Sequence, residues 1–212
     1  MHTIFNREDH LADRVNKFLV NQLHLPDADY TNDLSLLSLL ELKSILSCIN
    51  NLITLKLTFG LADWICDTYE LDDSIRDNLR RSILRTKPNA NGFDLYLGLP
   101  IAFVAEVKCN VPVNGGSKYE ANQKRSILAD VESLLSGKRK ASLMSQKVLK
   151  FLCFLDIPQV RDANAHLLKT TPDLVKKLRF VDPGRRPRSL SYVHGVYVTM
   201  TPNQSSQSTA LP

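Results

Sequence analysis

An α/β fold is predicted for this chain: a mixed central sheet flanked by helices, with a helical N-terminal elaboration. Three observations lead there. Residues 92–110, GFDLYLGLPIAFVAEVKCN, read as a β-hairpin. A helix, a strand, a helix and a last strand follow it, and a strand-helix-strand unit with buried apolar strands implies parallel pairing with helices against the sheet. The first third of the chain is spaced as helix. The length of 212 residues suits one domain over 1–202, mainly helical over 1–86, with 203–212 as a disordered tail.

In chain order, Leu11, Val15, Phe18, Leu19, Gln22 and Leu23 follow helical spacing, and Pro26 ends that element. Asn32 or Asp33 can cap a helix through Leu36, Leu37, Leu40, Ile45 and Ile49. Residues 53–59, ITLKLTF, alternate like a strand but lie between helical neighbours and are assigned to helix; a helix through Trp64 follows. The next helix runs from Asp72 to about Arg85, its acids at the start and Arg80, Arg81 and Arg85 toward the end, as the helix dipole favours. After the loop 87–92, Phe93–Leu97 and Ile101–Val107 form the hairpin strands around Gly98-Leu99-Pro100. Ser117 and Glu120 read as a capping box for a helix with the stripe Ile127, Leu128, Val131, Leu134 and Leu135, stopped by Gly137. Val148–Leu155 is a buried strand, Pro158–Leu168 a helix, Leu174–Lys177 a short segment, 183–188 a basic loop, and Tyr192–Met200 the last strand.

Along the second hairpin strand side chains alternate faces, so Ala102, Val104, Glu106 and Lys108 share one side and Ile101, Phe103, Ala105 and Val107 the other. Both faces are apolar until the acid appears. Asp94, near the end of the partner strand, can reach the side of Glu106 and Lys108. Carboxylate oxygens suit Mg²⁺, and a nearby ammonium can hold a water or a phosphate. The same residues also read as a same-face ion pair on a solvated strand.

Asp94 followed by Glu106-Val107-Lys108 resembles the PD-(D/E)xK nuclease superfamily, with Phe93 where the family's proline stands. The resemblance covers about Gly92 to Asp156. It implies a restriction-endonuclease-like core over 92–200, an endonuclease acting on DNA phosphodiesters, and Mg²⁺, with Mn²⁺ as a substitute, held by Asp94, Glu106 and the carbonyl of Val107. It gives Lys108 the role of orienting water or stabilising phosphate charge. Gln123, on the following helix, resembles a glutamine that several branches point into the site; the alternative is a solvated polar residue. Glu41 is open as a third acid or as the edge of a helical stripe. Asp130 and Glu132 cannot share a helix face and read as surface.

The net charge of +5 hides an asymmetry. Residues 1–75 carry five Lys and Arg against twelve Asp and Glu; residues 76–212 carry 22 against ten. A polyanion explains a basic excess that travels with the candidate site. Lys118, Lys124, Lys138, Arg139, Lys140, Arg185, Arg186 and Arg188 are the candidate backbone contacts, Lys176, Lys177 and Arg179 form a further cluster, and the sparse aromatics favour duplex over single strand. Asn114-Gly115-Gly116-Ser117 could cradle a phosphate, though simple turn chemistry is the commoner use. A nucleic-acid-binding module without turnover and a protein-interaction domain are the competing classes, and a homodimer is compatible with each. Four scattered cysteines and five isolated histidines exclude a zinc site, a disulfide framework and a Cys-His centre. The polar start lacks a leader layout, and the longest apolar run, Leu34–Leu42, is too short for a bilayer, so a cytoplasmic protein without membrane attachment is expected.

Overall fold

The computed structural model describes residues 6–86, 92–112, 116–138 and 147–200. The tail after Pro202, most of the loop 87–92, Arg139, Lys140, and Asn114-Gly115 of the candidate cradle lie outside them. The chain divides into two compact units, residues 1–49 and 50–212.

In the first unit, α1 (Arg7–Leu23) and α2 (Tyr30–Asp33) precede the first turns of α3 (Leu36–Tyr69). Asp29, not Asn32 or Asp33, is the cap residue here. It opens α2, and its carboxylate also accepts from the Asn16 amide of α1 at 2.9 Å. The start of α3 is capped by Ser35, whose hydroxyl accepts from the Ser38 N–H at 3.2 Å. Asn32 and Asp33 are inside the short α2, a turn too brief to leave a periodic signal.

In the second unit, the remainder of α3 is one uninterrupted helix through residues 53–59 and Trp64. The strand-like alternation there coincides with a helical stripe, because Leu57, Leu61 and Ile65 recur every four residues and are fully buried. By length and composition alone α3 could cross a bilayer, unlike the shorter run Leu34–Leu42; its later turns, however, form the inner face of a core helix. Asp72 caps α4 (Asp73–Arg85), accepting from the Ile75 N–H at 3.0 Å.

The sheet has five strands: β1 (Leu95–Leu97), β2 (Phe103–Lys108), β3 (Leu149–Leu155), β4 (Leu178–Phe180) and β5 (Val193–Val198), in spatial order β1-β2-β3-β5-β4. The β1–β2 hairpin is antiparallel, and the other pairs are parallel. Between β2 and β3 runs α5 (Ala121–Ser136); α6 (Pro158–Thr170) and α7 (Pro172–Lys177) precede β4. The architecture is thus a mixed sheet with helices on both faces. Strand β4, three residues long, is not expected from the sequence pattern.

Alternation along the central strands splits the core. Phe103, Ala105, Val107, Leu149, Phe151, Cys153, Val196 and Val198 pack under α3 and α4. Val104, Leu152, Phe154 and Val193 pack under α5, α6 and α7 through Ile127, Val131, Leu134, Val160, Leu167 and Leu174. Gly60 is where α3 meets β5: a Cβ there would collide with the Val198 side chain. Lys150 breaks the apolar run of β3 yet is 3 % exposed; its ammonium donates to the carbonyls of Leu190, at 2.7 Å, and Val148, at 3.2 Å. It thereby ties the start of β3 to the segment before β5, where His194 Nε2 also donates to the Ser189 carbonyl at 2.8 Å.

Candidate active site

The hairpin register sets the site. Leu95 pairs with Ala105, so the residue before β1, Asp94, stands opposite Glu106. Asp94 Oδ2 accepts the Val107 N–H at 2.8 Å, which holds the carboxylate against the β2 backbone beside Glu106. Glu106 and Lys108 project to the face covered by α5, the same face as buried Val104.

Glu106 is 6 % exposed. Lys138 Nζ lies 2.5 Å from its Oε1 and forms an ion pair with it. Burial, then the neighbouring Asp94 charge, push the Glu106 carboxyl up to about 7; Lys138 opposes them and Asp130 adds to them. Lys108 is clamped from α5: its ammonium donates to Ser126 Oγ at 2.7 Å and meets Asp130 Oδ2 at 2.5 Å. Burial also raises the Asp130 carboxyl, against the pull of Lys108.

Asp130, expected at the surface, is instead a residue of the site. Glu132 is indeed exposed, paired with Lys177. Asp130 lies one step off the buried stripe Ile127, Val131 and Leu134, and shares its edge with Ser126 one turn earlier. That adjacency, rather than its spacing from Glu132, is the signal that could have found it.

Gln123 is engaged elsewhere. Its Oε1 accepts from the Glu120 N–H at 3.1 Å and its Nε2 donates to the Val111 carbonyl at 2.8 Å. Glu120, not Ser117, is the cap residue of α5, and Gln123 is the return partner of that box. It therefore fastens the helix start to the segment after β2. Lys138, expected on a phosphate backbone, sits in the acid cluster instead, donating also to the Gly92 carbonyl at 2.6 Å and lying 5.3 Å from the centre of the Phe93 ring.

Of the other basic candidates, Lys118 is exposed and Lys124 half-buried. Arg185 pairs with Asp182 at 3.3 Å, Arg186 stacks on the Tyr69 ring at 4.8 Å, and Arg188 is exposed. The Tyr69 hydroxyl donates to the Pro187 carbonyl at 2.7 Å and so anchors that loop on α3. Glu41 is exposed on the part of α3 belonging to the first unit.

The donor chemistry suits a hard divalent ion: two carboxylates face each other across a strand pair, that of Glu106 buried and already holding a cation, the Lys138 ammonium. Among the described residues no group of three His, Cys, Asp or Glu side chains gathers for a metal, so further ligands would be backbone carbonyl, water or substrate. No protein-family model, curated protein or solved structure matches the chain.

Proposed function

We propose that the chain is a Mg²⁺-dependent endodeoxyribonuclease with a restriction-endonuclease-like core, cleaving phosphodiester bonds of duplex DNA. The observation that carries this reading is the opposition of Asp94 and Glu106 across β1 and β2, with Lys108 two residues further on the same face. The succession hairpin, α5, β3, with β3 parallel to β2, agrees with the core that the motif implies.

Asp94, Glu106 and the carbonyl of Val107 would hold the ion, Mn²⁺ substituting. The chemistry it supplies when bound is polarisation of the phosphate and a lowered pKa for a water. Lys108 has three N–H groups; Ser126 and Asp130 engage two, which leaves one for a phosphate oxygen or the attacking water. The clamp fixes its direction, so no ordering of the side chain is required at the moment of reaction. Val104 and the apolar face of α5 exclude water from behind the cluster.

Incubating supercoiled plasmid with the protein and Mg²⁺, then with EDTA, tests the reading. Nicking or linearisation that needs Mg²⁺ and disappears in Glu106→Gln and Lys108→Ala is the expected result; equal activity in either variant would overturn the assignment. A competing reading, a non-catalytic module whose acids and lysines fasten α5 to the hairpin, is favoured by the pairing of both ammoniums with acids. It predicts DNA binding without cleavage and a loss of stability in Lys108→Ala.

A further inference from the structure

Three carboxylates, Asp94, Glu106 and Asp130, share the cluster with two ammoniums, Lys108 and Lys138. With all five ionised, one negative charge is in excess. A divalent ion added to the intact set would turn that excess into an equal surplus of positive charge within a buried face. The balance is kept better if one ammonium leaves.

The two lysines are not equivalent. Lys108 is on β2, 14 % exposed, and gripped by two side chains of α5. Lys138 is 26 % exposed and lies beyond the helix end, after Gly137, whose φ of 89° turns the chain away from the helical path. Its ammonium rests between the Glu106 carboxylate, the Gly92 carbonyl and the face of Phe93. Two oxygens and an aromatic face around a positive charge form a cation position.

We infer that Lys138 occupies the cation position of this cluster as a tethered ammonium, so that a divalent ion enters by displacing it from Glu106. The inference rests on the metal-site reading of Asp94 and Glu106. It gives Lys138 a second position: once displaced, a basic side chain at the rim of the site is free to take up a substrate phosphate. Lys108, held on α5, stays.

Two measurements on the full chain at about pH 8.5, between the ordinary carboxyl and lysine ranges, test this. Mn²⁺ titration by calorimetry compares wild type with Lys138→Ala. Acetylation footprinting of the wild type, read by mass spectrometry with and without Ca²⁺, follows the amine itself. The expected result is Mn²⁺ affinity about tenfold higher in Lys138→Ala, and a severalfold rise in Lys138 acetylation on adding Ca²⁺, with exposed Lys147 unchanged. Equal Mn²⁺ affinity in the two proteins with unchanged acetylation would overturn the inference and leave the metal site standing. No Mn²⁺ binding to either protein would overturn the site and the inference together. Footprinting needs no variant, so misfolding of Lys138→Ala would not mask the answer.

Discussion

At the scale of the residue, Glu106 is an acid in a place that opposes its charge. Its ordinary carboxyl value of 4.5 rises to about 7 in the folded chain. The sign follows: folding favours the protonated form, so this contribution to stability is full below about pH 4.5 and is lost as pH rises through about 7. The difference corresponds to about 3 kcal/mol. Glu106→Gln is neutral at every pH. It should therefore be more stable than wild type at pH 8, by about 1–3 kcal/mol, and equal to it near pH 4. Urea midpoints at the two pH values check this, and a variant less stable at pH 8 would contradict it. His194 acts in the opposite direction. Burial lowers its pKa below 6.5, so the stability it contributes is present above that value and is lost as acid charges the unfolded chain first.

At the scale of the element, α5 carries the second half of the site. Asp130→Asn keeps the shape but removes the charge that holds Lys108, while Asp130→Glu restores the charge on a longer stem. If Asp130 positions Lys108, Asp130→Asn should lower kcat with little change in KM, by about tenfold or more, and Asp130→Glu should recover part of it. An equal loss in both would point to packing alone. The packing of α3 gives a further expectation: Gly60→Val should force the helix off β5 and cost about 1–3 kcal/mol, read as a lowered Tm. Much of this level was legible in the sequence. Runs of β-formers around a turn located the hairpin, a nearly unbroken apolar run located β3, Asp72 marked the start of α4, and the stripe of α5 stood clear. What was not legible was set by neighbours distant in sequence. Residues 53–59 satisfy strand and helix spacing alike, and only the sheet beneath decides between them. Leu178–Phe180 is too short to show a period. Asp130 looked like surface because the wheel of one helix does not reveal that Lys108 will arrive from a strand.

At the scale of the whole molecule, the second unit combines a mixed sheet, two cores and the candidate site, and it holds the basic excess of residues 76–212. The loop with Arg185, Arg186 and Arg188 is fastened to α3 by Tyr69, through the Pro187 carbonyl and the stacked Arg186. A phosphate-binding surface gains from such an anchor, because less side-chain freedom is given up on binding. Changing the three arginines together to Gln should weaken duplex binding for all sequences. It should also reduce the slope of log affinity against log salt by about one unit for each phosphate no longer neutralised. Binding titrations at several salt concentrations check this; an unchanged slope would make the loop a solvated surface. The site was less legible here than the fold. Sequence order brought Asp94, Glu106 and Lys108 together, whereas Lys138 and Gln123 took positions that depend on how the chain leaves and enters α5.

Asp94 serves two masters. Its carboxylate faces the acid of the opposite strand, and the same group satisfies a peptide N–H of β2 that would otherwise lie bare at the hairpin's end. A purely chemical requirement would be met by any anion at that place, and a purely architectural one by any acceptor. Together they divide the alphabet at this position unevenly. Asn keeps the architecture and silences the chemistry, while Ala loses both. If the proposed metal chemistry operates here, a descendant of this chain that abandoned it would thus remain under pressure to keep a short polar side chain at position 94, and a trace of the site would outlive its use.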